Sequence, residues 1–163
     1  METKKGLFAV TEKDYGNNYK EHLLEQYKLY IESSEKTSDR RQRANSYFIT
    51  INTALISLIG LFFQIEVFKN LAWIKFILAF VGIIICVIFW HLIRSYKQLN
   101  SGKFDVIHEI ERHLPLALYE YEWEILERGK NPKKYYPFSH IELFIPWVFG
   151  IIYAVLGIIF LAT

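Results

Sequence analysis

The sequence predicts an all-α membrane protein with three transmembrane helices. Its N-terminal arm and the segment between spans two and three form a helical cytoplasmic part. Three observations predict this. The 163 residues are 52% hydrophobic, but the apolar residues are concentrated in long blocks free of formal charge. Each block is about as long as the roughly 20 residues a helix needs to cross hydrocarbon. Lys and Arg gather on one side of them.

The first block, 44–65, lies between Arg43 and Glu66. The second, 71–93, carries only Lys75 near its start, where a snorkelling ammonium reaches the headgroups. The third, 141–163, has its charge-free run from Leu143. Three such blocks leave too little polar chain to cover them in water. The first is not a cleaved signal peptide, because 43 largely polar residues precede it. Trp73 and Trp90 bracket the second at a distance of about 25 Å along a helix, close to the spacing of the two aromatic belts. Trp147 stands near the start of the third.

Orientation follows from the basic residues. Arg40, Arg41 and Arg43 precede the first span, Arg94, Lys97 and Lys103 follow the second, and Arg128, Lys130, Lys133 and Lys134 precede the third. The 66–70 loop holds only Lys69. The positive-inside rule places 1–43 and 94–140 in the cytoplasm, with the 66–70 loop and the C-terminus outside. Trp73, Trp90 and Trp147, with Arg40, Arg41 and Arg43, are the expected interfacial anchors.

Asn18 and Glu21 resemble a capping box that opens a helix, along which Leu23, Leu24, Tyr27 and Ile31 form an apolar stripe. Neither proline nor glycine occurs from Asn17 to Ile59, so arm and first span read as one helix. In the middle segment, Asn100-Ser101-Gly102 reads as a break. Phe104, Ile107, Ile110 and Leu114 then give a helical stripe that stops before Pro115. Residues 119–125 alternate Tyr, Glu, Tyr, Glu, Trp, Glu, Ile, which is strand periodicity. Leu118, Trp123 and Leu126 also suit a short helix, and both readings stay open. Asn131-Pro132 marks a turn. Ser139 and Glu142 read as a capping box for the third span, with Pro146 tolerated in its first turns.

The most informative pattern lies inside the first span. Ser46, Thr50, Thr53, Ser57, Gly60 and Gln64 recur at intervals of 4, 3, 4, 3 and 4, one small and polar stripe along a helix. Asn45 and Asn52 form a second polar pair one heptad apart. Gly150, Ala154 and Gly157 repeat the idea as a helix-packing stripe in the third span. Apolar burial does not drive helices together in lipid, so small residues and interhelical hydrogen bonds supply the attraction. The hydroxyl stripe therefore packs against helices of the same chain, packs against another copy, or lines a pore.

Chemistry is harder to find. The span interiors hold no ionisable group of the kind that pumps need, and His91 sits beside Trp90 near the inner interface. His108, Glu111 and His113 cluster near Pro115. However, imidazoles five residues apart do not share a helix face, and a solvated set of charge pairs is the simpler reading. Cys86, the single thiol, lies mid-span and reads as inert. No nucleophile-elbow, phosphate-loop, zinc-protease or dinucleotide pattern appears. The expectation is no enzyme, no cofactor and no metal. The formal charge of +2 points away from nucleic acid.

Several words combine distinctively: Glu25-Gln-Tyr-Lys-Leu-Tyr30, Arg40-Arg41-Gln-x-Ala-Asn45-Ser46-Tyr-Phe48, Arg94-Ser-Tyr-Lys-Gln-Leu-Asn-Ser-Gly-Lys103, Ile107-His-Glu-Ile-Glu111, Glu122-Trp123, Tyr136-x-Phe-x-x-Ile-Glu142 and Ile145-Pro146-Trp147. Together, from about Leu24 to Tyr153, they resemble the RipA-like family of small bacterial inner-membrane proteins, described as octameric. The resemblance implies a homo-oligomer in the cytoplasmic membrane, without enzymatic activity and with no catalytic residues to transfer. The arm and spans are also loosely similar to two-span effector modules of bacterial nucleotide-signalling defence systems, although three spans depart from that pattern. The expected function is a membrane scaffold that binds itself, the bilayer and a cytoplasmic protein partner. The alternative is an oligomeric channel or membrane-perturbing effector, in stress or phage defence, with the Ser46–Gln64 stripe lining its pore.

Overall fold

In a computed structural model, which describes residues 6–65 and 72–162, every regular element is helical. In chain order these are α1 (Glu12–Tyr15), α2 (Tyr19–Gln64), α3 (Ala72–Glu111), α4 (Leu118–Ile125), a 3₁₀ turn (Glu127–Gly129), α5 (Phe138–Glu142) and α6 (Ile145–Ala162). The loop expected at 66–70 lies outside the described residues. The chain divides into two compact units, Met1–Asp39 with Gln98–Tyr136, and Arg40–Lys97 with Pro137–Thr163.

The first unit is polar. α2 begins one residue after Asn18, whose carbonyl accepts from the His22 N–H. Sequence marks Asn100-Ser101-Gly102 as a break, but α3 runs through all three to Glu111. A helical glycine costs about 1 kcal/mol relative to alanine. Packing on both sides outweighs that cost. Lys103 donates to Ser33 Oγ at 2.8 Å and lies 4.8 Å over the Tyr30 ring, while Ile107 is buried. α4 resolves the 119–125 ambiguity as helix. Tyr119 and Trp123, one turn apart, turn inward, whereas Tyr121 and Ile125 are exposed. The strand-like alternation was thus a coincidence of composition.

Glu111 organises this unit. Its buried carboxylate accepts the Tyr27 hydroxyl at 2.8 Å and the backbone N–H groups of Tyr119 and Glu120 at 3.1 Å. α4 has no side-chain cap of its own, so Glu111 fills that role from α3 and meets the positive end of the helix dipole. Burial first, and then the adjacent Glu111 carboxylate, pushes the Tyr27 phenol above its ordinary range. After α4 the backbone turns through Glu127, Arg128 and Gly129, all with positive φ. Arg128 pairs with Glu120 and Glu124, and Lys134 with Glu127, across this turn.

The second unit is a three-helix bundle whose register can be read from side-chain pairs. Phe48 stacks on Phe89 and Asn52 meets Cys86, so α2 and α3 run antiparallel. Phe48 also meets Phe149, and Asn52 meets Tyr153, so α2 and α6 run parallel. Gly82 abuts Tyr153 while Gly157 faces Phe76, which makes α3 and α6 antiparallel. Ile59, Ala79, Ile93 and Phe160 complete the core. Lys75 is only 6% exposed.

The third apolar block is two helices. Pro146 lacks an N–H, and its ring would clash with the carbonyl four residues back, that of Glu142. α5 accordingly ends at Glu142, and α6 starts at Ile145 with the proline second in its first turn. The expected Ser139–Glu142 capping box does not open this segment. The N-cap position of α5 is Pro137, which provides no side-chain bond, and Glu142 is engaged elsewhere. The Ser139 side chain lies outside the described residues.

Two outcomes test these assignments. A Cβ at Gly82 would sit 2.5–2.6 Å from the Tyr153 ring, whereas one at Gly150 would meet only Cys86 Cβ at 4.0 Å. Gly82→Ala should destabilise the bundle by about 1–3 kcal/mol in thermal unfolding, and Gly150→Ala should leave it near wild type. Tyr27 titrates higher when folded than its unfolded value of about 10. Its contribution is therefore complete below that pH and is lost as pH rises through the folded value. Melting temperature should fall more steeply above pH about 10 in wild type than in Tyr27→Phe; equal slopes would contradict the assignment.

Candidate functional site

Within the bundle, α2 carries three chemically distinct faces. Asn45, Phe48, Asn52 and Ile59 are buried in the core. At 100° per residue the Ser46, Thr50, Thr53, Ser57, Gly60 and Gln64 stripe is centred roughly 130° away. All six of these residues are exposed. Tyr47, Ile51, Ala54, Leu58 and Leu61 are also exposed and form a third face of mostly bulky apolar groups. The stripe is thus not consumed by packing within the chain.

Three of its four hydroxyls are satisfied within the helix. Ser46 Oγ donates to the Gln42 carbonyl at 3.2 Å, Thr50 Oγ1 to Ser46 at 2.9 Å, and Ser57 Oγ to Thr53 at 2.8 Å. Bonding back one turn lets these side chains enter a low-dielectric contact without leaving a donor unpaired. A Cβ on Gly60 would meet nothing within 4 Å, so the stripe presents a shallow, unfilled surface. The packing stripe of α6 behaves differently. Gly150 and Gly157 lie against Cys86 and Phe76 of α3, while Ala154 is exposed. Its glycines therefore serve the bundle interior.

Two buried polar clusters fix how α6 sits on α2. Asn52 is fully buried; its amide Nδ2 donates to the Phe48 carbonyl at 2.8 Å. Its Oδ1 accepts the Tyr153 hydroxyl at 3.0 Å and faces the Cys86 thiol at 3.9 Å. One heptad earlier Asn45 donates Nδ2 to Glu142 Oε1, and Arg41 Nε lies 3.4 Å from Glu142 Oε2. Glu142 is 1% exposed. Sequence reading singled out the Asn45–Asn52 pair but missed both partners. Their signal was their isolation: Glu142 is the last formal charge in the chain, and Tyr153 is the lone phenol of its block.

The expected anchors are placed as follows. Trp73 and Trp147 are exposed, and Trp90 is half-buried, with Arg94 5.5 Å from its ring and His91 at 4.9 Å. Arg40 and Arg43 are exposed, whereas Arg41 turns inward to Glu142. The histidine-rich stretch before Pro115 does not converge. His108 Nδ1 is 3.2 Å from Glu120, Glu111 serves Tyr27 and α4, and His113 Nδ1 lies 3.2 Å from the Glu109 carbonyl beneath Phe8.

Removing the Glu142 carboxylate would leave both the Arg41 guanidinium and the Asn45 amide without their shared acceptor. Glu142→Ala should cost about 3 kcal/mol in detergent unfolding. Glu142→Gln, which retains an acceptor, should cost less; equal losses would show that the carboxylate acts only as volume.

Most of the apolar window in each long helix is not covered by the chain itself: 22% of the window in α2 and 28% in α3 is buried. Core helices of a water-soluble domain would be largely covered, so these two are candidate membrane helices by length and composition. α6 is also apolar but shorter. No curated protein and no solved structure matches the chain. Residues 24–162 match the family described as "Octameric membrane protein family (8xMP)", a description that supports the octameric membrane character of the resemblance but not the RipA-like name. The chain belongs to the octameric membrane protein family 8xMP.

Proposed function

We propose that the protein is a three-span, non-enzymatic scaffold of the bacterial inner membrane, and that the Ser46–Gln64 stripe is the contact between copies in a homo-octamer. The observation that carries this reading is the exposure of all six stripe residues beside a separate bulky apolar face. Lipid chains suit Tyr47, Ile51, Leu58 and Leu61. Small residues, with the Ser46, Thr50 and Ser57 hydroxyls already bonded, suit the close approach of another helix. The family description supports self-association.

The third span starts at residue 141, in the last turn of α5, and continues through α6. α6 alone has 18 residues, about 27 Å, slightly short of a ~30 Å hydrocarbon layer. Its parallel course with α2 suits an N-terminus inside and a C-terminus outside, as the positive residues require. The 94–140 segment and the arm are then cytoplasmic and available to a protein partner. Neither role calls for a cofactor or nucleic acid.

A second reading, a channel or membrane-perturbing effector, draws on the same stripe. A file of four hydroxyls, a glycine and an amide from Ser46 to Gln64 also suits the wall of a water-filled pore. Planar-bilayer recording separates the two, because the scaffold passes no current.

Thr53→Leu/Ser57→Leu should shift the native mass of the detergent-solubilised protein from the octamer to smaller species, while Leu58→Phe on the neighbouring face should leave it unchanged. An octamer that survives the double substitution would contradict the stripe as the contact.

A further inference from the structure

We propose that the polar unit binds a small organic ammonium ion in a cavity between α2, α3 and α4. This inference stands apart from the assembly reading and uses none of its residues. The cavity has a volume of about 340 Å³ and is lined by Ser34, Glu35, Asp39, Phe104, Ile107 and Tyr119, among others. That volume lies at the lower end of small-molecule sites, roughly 300–1,000 Å³, so it suits a ligand of a few heavy atoms.

Its chemistry is that of a cation site. Glu35 and Asp39 are one helical turn apart, are exposed, and both line the cavity. Among the described residues neither has a basic partner. The lysines closest along the chain and across the unit are occupied elsewhere, Lys36 by Glu32 at 2.7 Å and Lys103 by Ser33 and the Tyr30 ring. Arg40 and Arg43, the nearest cations to Asp39 along the helix, are exposed, and among the described residues no ion pair engages either carboxylate. The negative charge is felt by Tyr119, whose phenol is pushed above its ordinary range by burial and then by Glu35.

Ser34 gives an independent indication. It is 6% exposed and lines the cavity, yet its hydroxyl makes no hydrogen bond to another described residue. Thr37, on the next turn of the same helix, donates back to the Ser33 carbonyl. The residue is largely buried while its hydroxyl oxygen stays open to the cavity, so a hydroxyl that forgoes that bond can meet a ligand.

The remaining walls select the kind of cation. Phe104 and Tyr119 form an edge-on pair, with ring centroids 5.9 Å apart and planes at 64°, above the buried Ile107. Aromatic faces attract an alkylated ammonium, and an isoleucine suits its carbon atoms. The oxygens of Ser34, Glu35, Ser38 and Asp39 lie on one wall only, and the opposite wall of rings and isoleucine suits an alkylated ammonium better than a divalent ion, which takes oxygen ligands all round.

The test uses the full chain in phosphatidylglycerol nanodiscs, which contain no ammonium headgroup. Choline is titrated calorimetrically against 3,3-dimethylbutan-1-ol, its uncharged isostere. Saturable choline binding, with the isostere at least about tenfold weaker, is expected. Glu35→Gln/Asp39→Asn should weaken choline by about tenfold without changing helical content or native mass. Equal binding of the two probes, no saturable choline binding, or undiminished binding to the double variant would each overturn the site. Repeating the titration in phosphatidylethanolamine discs identifies the source of the ammonium. Weakened choline binding there assigns the site to a lipid headgroup, and unchanged binding assigns it to a free ion.

Discussion

Asn52 is the fixed point of the apolar bundle. In hydrocarbon there is no water to pair with a buried amide, so its oxygen must find a donor within protein. The Tyr153 hydroxyl is that donor, and the close approach it requires is possible only because Gly82 leaves room for the ring. One amide, one phenol and one missing Cβ thus join three helices at a single level. Asn45 and Glu142 repeat the connection one heptad earlier on α2. Apolar contacts alone would not set this register, because aliphatic chains of protein and lipid attract one another about equally.

With the interior set by those polar contacts, the outer faces of α2 are free for other work. A helix used only to hold one chain together would hide its small residues and show its large ones. Here both kinds are outside, on separate faces. The division makes sense if two different surroundings meet the helix, lipid on one face and a neighbouring helix on the other. The α6 glycines, by contrast, already have α3 against them. Two stripes that look alike as spacing therefore differ in what they contact.

Much of this was legible in the residue order, because the strongest signals are physical requirements on whole segments. Charge-free length specifies long apolar helices, and Pro146 marks where the third block divides. The heptad spacing of Asn45 and Asn52 placed both on one face. What was not legible depended on partners distant in sequence. Glu142 has the spacing of a capping residue, and only the arrival of Asn45 and Arg41 beside it shows its use. Gly102 looks like a terminus until Lys103 and Ile107 are seen packed on either side of the polar unit's helices. The Tyr–Glu alternation at 119–125 could not be resolved locally, since the Glu111 carboxylate that caps α4 comes from another helix. The cavity beside Ser34 is likewise formed from residues about 70 to 85 positions apart.

The central claim is that α2 faces lipid on one side and protein on another. A spin-label scan of residues 46–61 in liposomes, on a Cys86→Ala background, measures this directly through collisions with oxygen and with a water-soluble nickel chelate. The account predicts high oxygen accessibility at 47, 51, 54, 58 and 61, low accessibility to both reagents at 46, 50, 53 and 57, and exclusion of nickel from the middle of the helix. Nickel access at 54 and 58, or oxygen access at 53 and 57 equal to that at 54 and 58, would contradict it.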